Sequence, residues 1–324
     1  MKTNSLSVKY KDYPNLNGEN QTLVQQVGDG SIIKRFDKTP LPIEPQDVVC
    51  PHFVELKWAY GCPYKCSWCY LQGTLRFMPF KTKPKVKNYE KIRYHLERFF
   101  NETVNNDYSP ELLNTGEIAD SLMWESNGTP FSRFINSIAE KQNKHKILFL
   151  SKSDYVDNLL KLKTDSIVPS FTLNAYSVAS RWERGAPDVK RRIKAAKRLS
   201  QAGYKVRIRI DPMVPILNWE KEYKQLIEDI FSSFVPERIT LGSLRGLIST
   251  INNSNDKSWC VFLSESSGWG KKIDFQSRKN MYKTMSEYIQ DNLQYHDIAL
   301  CKETREMWKE LSMNFTRIRC NCIW

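Results

Sequence analysis

Phe53-Val-Glu-Leu-Lys-Trp-Ala-Tyr-Gly-Cys-Pro-Tyr-Lys-Cys-Ser-Trp-Cys-Tyr-Leu-Gln-Gly73 is the stretch whose reading decides the fold. It reads as a strand over 53–59, a turn at Gly61, and three cysteines, Cys62, Cys66 and Cys69, in the spacing C-x3-C-x2-C. Three thiolates on one short loop can hold three corners of a [4Fe–4S] cube and leave the fourth iron open to a small molecule. The competing reading is half of a structural zinc site, completed by Cys50 or His52. Zinc ligands usually come as C-x2-C pairs separated by a longer loop, and no second knuckle follows here. The spacing favours the cluster.

Outward from that loop, 324 residues are enough to bury a full core, as one α/β barrel or as two domains. The 40% hydrophobic and 26% charged residues are ordinary globular values and exclude wholesale disorder. No apolar run approaches a membrane span, and Met1-Lys-Thr-Asn-Ser5 lacks the apolar stretch of a signal peptide. The expectation is a cytoplasmic protein without membrane contact, its eight cysteines serving as thiols and metal ligands rather than as a disulfide framework. The formal net charge of +13, concentrated in 81–91, 181–205 and around Lys271 and Lys272, suits a polyanionic partner as well as a merely solvated basic surface.

Taken in order, residues 1–48 are polar, rich in Asn, Gly and Pro, and read as a loosely packed arm with short strands at best. Helices are expected over 89–103, 130–141, 154–162, 188–202, 220–231 and 278–292, the first two with apolar residues at helical spacing. Strands are expected over 111–115, 147–152, 169–176, 205–212 and 238–245. With the strand at 53–59 these make six strand-then-helix units, which imply a parallel sheet with helices outside. The fold class is therefore α/β, a partial (β/α)6 TIM-type barrel, with an N-terminal arm (1–48), a core (49–250) and a C-terminal extension (251–324). In such a barrel active residues lie at strand C-terminal ends, where the cysteine loop, Glu117, Lys152, Asn174 and Asp211 all fall. The loop 252–272 carries Trp259 and Trp269 as candidate substrate contacts. Cys260, Cys301, Cys320 and Cys322 read as buried thiols, as a second metal or cluster site, or as a source of one reactive thiol.

The cysteine loop resembles the radical S-adenosylmethionine (SAM) superfamily, and Cys62-Pro-Tyr-Lys-Cys-Ser-Trp-Cys-Tyr-Leu-Gln72 looks like the cluster loop of the spore photoproduct lyase family. Phe171-Thr-Leu-Asn174, Glu183-Arg-Gly-Ala-Pro187 and Arg192-Ile-Lys-Ala-Ala196 resemble that family's central segment, and the likeness runs from about residue 50 to 245. It implies a [4Fe–4S] cluster on Cys62, Cys66 and Cys69, and SAM on its open iron. The same likeness implies SAM contacts from Trp68, Gly116, Glu117, Lys152, Thr172 and Asn174, with the partial match Thr115-Gly116-Glu117 standing for a Gly-Gly-Glu segment. A flavodoxin- or ferredoxin-type reductant is implied too, with DNA or a modified nucleotide as substrate.

The family repairs a methylene-bridged thymine dimer, and a cysteine on the second-strand loop returns a hydrogen atom. Here Glu117 stands at that position, and of two relaying tyrosines Tyr70 remains while Trp68 replaces the other. A carboxylate, ionised near neutrality, cannot donate a hydrogen atom as a thiol does. The preferred expectation is therefore an isomerase rearranging an amino-acid-bearing thymine in viral thymidine hypermodification, with Tyr70 and Glu117 as catalytic residues. The alternatives are a repair lyase of the spore photoproduct type and a non-catalytic, zinc-containing DNA-binding protein.

Overall fold

The computed structural model describes residues 6–78, 83–125, 128–268 and 270–324. Ten strands form one sheet in which chain order and spatial order coincide: β1 (Val8–Pro14), β2 (Asn20–Val27), β3 (Ile33–Phe36), β4 (Phe53–Leu56), β5 (Leu112–Asn114), β6 (Lys146–Ser151), β7 (Ile167–Leu173), β8 (Arg207–Met213), β9 (Ile239–Ser243) and β10 (Ile298–Leu300). The first four pair antiparallel, and from β4 onward every pairing is parallel. Helices α1 (Tyr89–Thr103), α2 (Phe131–Ala139), α3 (Asp157–Leu162), α4 (Val189–Gln201), α5 (Trp219–Phe231) and α6 (Phe275–Leu293) fill the six crossovers. That is the partial (β/α)6 barrel the sequence predicts, with β10 as a seventh parallel strand.

The local reasons are visible in the chain. All seven residues of β7 are buried, as a strand covered on both faces requires. In α4, Val189, Ile193, Ala196 and Leu199 share the buried side, while the Asp188 carboxylate caps the helix by accepting from the Arg191 amide. Gly203, at φ +91°, ends that segment with a turn that a residue bearing a Cβ adopts only under strain.

Two expectations change. Residues 8–27 form strands of seven and eight residues rather than a loose arm, closed by a turn in which Asn15 and Gly18 bond, and β3 joins them to β4. Only Tyr13, Val24 and Val27 of their side chains are buried, so the apolar signal is weak although the two strands pair along their length with one register shift at Lys9/Tyr10. In the 252–272 loop, Trp259 is fully buried in the core rather than free to meet a substrate, and Trp269 lies outside the described residues.

The C-terminal tail turns into the barrel. Arg207 donates to the carbonyls of Asn321 (2.9 Å) and Ile323 (2.8 Å), and Arg238 donates to those of Cys320, Ile323 and Trp324. The Asn321 side chain donates to Ser170 Oγ of β7 and accepts from Thr240 Oγ1 of β9, both at 2.8 Å. Residues 320–323 thus close the end of the barrel where the strands begin. No helix among the described residues is long and apolar enough to cross a membrane.

Candidate active site

At the opposite end, where the strands finish, the cysteine loop follows β4. Its Lys65–Cys66 segment pairs antiparallel with Glu183–Arg184, so the loop is fastened to the chain that follows β7. Gln72 braces it from within by donating to the carbonyls of Cys66 (2.6 Å) and Ser67 (2.9 Å). Cys62, Cys66 and Cys69 line one cavity of about 110 Å³, together with Tyr64, Gln72 and Arg184. Burial pushes all three thiols up, Cys66 to about 12, so an ion or cluster taken up here must displace protons.

The donor set fits a cube better than a single ion. Among the described residues no three His, Cys, Asp or Glu side chains are grouped as one metal ion needs. The two residues that would complete a zinc site are engaged elsewhere. The His52 ring meets the Thr39 carbonyl at 3.2 Å and packs edge-on to Tyr13, whereas Cys50 shares its surroundings with Cys301, Cys322 and Lys302. The zinc reading loses its fourth ligand.

Beside the cysteines lies a buried charge cluster, and only the fold shows that its members Lys152, Glu183 and Arg192 meet. The fully buried Glu183 carboxylate is ion-paired with Arg192 (2.6 Å) and Lys152 (3.7 Å). Burial alone would raise its pKa, but Lys152 and Arg192 overcome that and hold it below the usual carboxylate range. Both Glu183 oxygens are sealed from solvent, and Arg192 and Lys152 are the cations that face them. Lys152 also lies within electrostatic reach of Cys66 and Cys69, and Asp120 holds its backbone amide at 2.7 Å. Asn174 is buried, donating to the Pro212 carbonyl and accepting from the Tyr223 hydroxyl, both at 2.8 Å. Thr172 is buried next to it, its carbonyl accepting from Arg192 at 2.9 Å. Trp68 packs in the core at 5.7 Å from Trp182.

Tyr70, Gly116 and Glu117 meet across the loop. The Tyr70 hydroxyl donates to the Glu117 carbonyl, and Asn114 Nδ2 donates to Glu117 Oε1 at 3.0 Å. The Gly116 amide donates to Asn114 Oδ1 at 2.9 Å, and a Cβ on Gly116 would stand 2.5 Å from Leu150 Cβ and 2.7 Å from its carbonyl oxygen. Gly116→Ala is therefore expected to push β5 from β6 and cost about 1–3 kcal/mol, read as a lower urea midpoint with an unchanged slope.

The sequence also missed what faces Glu117. Asn114 Nδ2 lies 3.9 Å from Cys322 Sγ, so the tail brings a thiol up beside the second-strand loop. Arg209 and Arg245 both reach Asp211 Oδ2, and Cys301 Sγ sits between the two guanidiniums. Cys260 lies apart, in the neighbourhood of Asp256, Lys257 and Lys271.

Residues 52–245 match the family model for spore photoproduct lyase. Curated relatives include spore photoproduct lyase of Bacillus subtilis, 27% identical over 54% of this chain and 50% of the relative. That of a Geobacillus species is 25% identical over 53% and 49%. The chain thus spans about half the length of the curated relatives it matches. A double mutant of spore photoproduct lyase with bound AdoMet and dinucleoside spore photoproduct superposes with a TM-score of 0.60 at 18% identity, covering 78% of this chain and 77% of that one. The cysteine loop, the barrel and the matched span lead to one conclusion: the chain belongs to the spore photoproduct lyase family of the radical SAM superfamily.

Proposed function

We propose that this chain is a radical SAM enzyme acting on a thymine-derived base in DNA. The observation that carries the reading is the placement of Cys62, Cys66 and Cys69 around one cavity beside the Lys152–Glu183 pair. A [4Fe–4S] cluster with SAM would supply one-electron radical chemistry able to remove a substrate hydrogen. The three cysteines hold the cluster, with the electron coming from a flavodoxin- or ferredoxin-type partner. Glu183 would serve the ammonium of SAM and Lys152 its carboxylate. The paired strands Lys65–Cys66 and Glu183–Arg184 hold these two groups in register with the loop. Tyr70, bonded to the Glu117 backbone, stands between the cluster loop and the barrel interior.

The reaction that the relatives' name supports is lysis of a thymine lesion. Cys322 removes part of the objection raised from sequence, because a thiol does stand near the Glu117 position although it comes from the tail. A second reading, isomerisation of an amino-acid-bearing thymine during hypermodification, rests on Glu117 itself and on the strongly charged interior of Arg209, Asp211 and Arg245.

The test is anaerobic. Reconstituted protein should carry about four irons per chain and form 5′-deoxyadenosine from SAM under dithionite. DNA containing the methylene-bridged thymine dimer and DNA containing an amino-acid-bearing thymine are then supplied separately. Product from the first selects the lyase, and product from the second the isomerase. A protein that holds zinc and leaves SAM intact would sink the whole reading.

A further inference from the structure

Outside the residues that face the cysteine loop, an unassigned charge cluster stands at the ends of β8, β9 and β10. Arg209 donates to Asp211 Oδ2 through Nε (3.0 Å) and Nη2 (2.8 Å), and Arg245 Nη2 reaches the same oxygen at 3.1 Å. Two guanidiniums share one carboxylate oxygen, which leaves an excess positive charge. Lys302 lies close enough to act on Cys301, and Glu117 is the acid nearest from the opposite wall. Burial opposes charge on Asp211, but Arg245 and then Arg209 hold its carboxyl well below the usual range, so this acid stays ionised.

The cluster is also built for approach. Gly242 of β9 makes room for Asp211, since a Cβ there would stand 2.4 Å from Asp211 Oδ1. Arg209 Nη1 finds nothing closer than Cys322 Sγ at 3.9 Å, too long for a strong bond. Arg245 spends Nη1 on the carbonyls of Ser243 (3.1 Å) and Cys301 (3.3 Å), which fixes its direction, yet its side chain remains 31% exposed. A cluster serving only to tie β8 to β9 would need one cation for Asp211. The second is held beside it, its Nη2 shared between Asp211 Oδ2 and the neutral Cys301 thiol at 3.3 Å, and guanidinium forks match the planar oxygens of carboxylates and phosphates better than a thiol.

We infer that Arg209 and Arg245, oriented by Asp211, form a subsite for an anionic oxygen group of the substrate, across the barrel from the cluster loop. The inference rests on the reading that the barrel interior receives a thymine-derived substrate. The anion has two possible sources, a carboxylate carried on the base or a phosphate of the DNA backbone. The two guanidiniums grip it, and Asp211 prevents them from repelling each other while the site is empty.

The experiment uses reconstituted holoenzyme with SAM and no reductant. Three probes are titrated: thymidine, a thymidine carrying glycine through its methyl carbon, and a thymidylyl dinucleotide with one linking phosphate. Arg245→Gln is expected to weaken one of the two anionic probes by about ten- to a hundredfold and to leave thymidine unchanged. Loss confined to the glycine adduct assigns the carboxylate, and loss confined to the dinucleotide assigns the phosphate. Asp211→Asn, which removes the competing negative charge, should tighten the same probe, a direction that collapse of the site cannot produce. Equal affinities in wild type and R245Q, loss of thymidine binding in parallel, or no binding of either anion by the wild type would overturn the inference. SAM cleavage by the same preparation under dithionite separates the cases, because cleavage without anion binding rejects this subsite alone.

Discussion

The triple variant Cys62→Ala, Cys66→Ala, Cys69→Ala is expected to come out colourless, with iron and sulfide near zero and no 5′-deoxyadenosine formed from SAM. Loss of the cofactor removes the whole of its acceleration, at least about 10⁶-fold, so the residual rate lies below detection. The fold should survive. The loop is fastened by the Cys66–Glu183 backbone pairing and by Gln72 bonds to backbone carbonyls, none of which needs a sulfur. Circular dichroism and the thermal midpoint check that part. Appreciable residual iron in a folded variant would contradict the assignment of all iron to this loop. It would point to the tail, where Cys320 and Cys322 are hydrogen-bonded and Cys301 and Cys50 lie nearby.

Replacing Glu183 by glutamine should be the most destabilising single change near the site. Glu183 is fully buried, and its partners Arg192 and Lys152 have side chains 1% and 18% exposed. Glutamine keeps the shape but leaves two cations with no counter-charge, and breaking a buried pair in this way costs about 3–5 kcal/mol. The pH dependence gives the sign. The folded pKa of Glu183 lies below its ordinary 4.5, so its stabilisation is complete above that pH and fades as the pH falls through the folded value. The wild type should therefore lose its advantage over E183Q on acidification, in urea melts at pH 7 and at successive steps below 4.5. A constant gap across that range would show that the folded pKa of Glu183 is not lowered from its ordinary value.

The barrel was legible because its outer layers obey simple periods. The apolar run in β6 and the helical stripes of α1, α2, α4 and α5 are set by burial against one another, and each strand-then-helix unit repeats that pattern. The cysteine loop was legible because its chemistry is local. The rest was hidden by inversion or by distance. In β8, Arg207, Arg209 and Asp211 alternate with Ile208 and Ile210, and alternation ordinarily places the polar set toward water. Here the polar set faces the barrel interior, where the tail and Cys301 complete its bonding. Glu183 could not be singled out, because its partners stand 31 residues before and nine after it, and only the fold brings all three together.

The tail that closes the barrel also sets the order in which the chain can finish folding. Arg207 and the Asn321 carbonyl it grips are separated by 114 residues, and Asn321 and Ser170 by 151. Contacts across such spans contribute only after the intervening loop has been ordered, and proteins dominated by them fold slowly. Until residues 320–323 arrive, Arg207 and Arg238 have Glu237 as a partner but lack the tail carbonyls that complete their bonding. Completion of that bonding waits on the tail, at the end of the barrel away from the cysteine loop. The cysteine loop, at the other end, is fastened by its own pairing with Glu183–Arg184 and needs nothing from the tail.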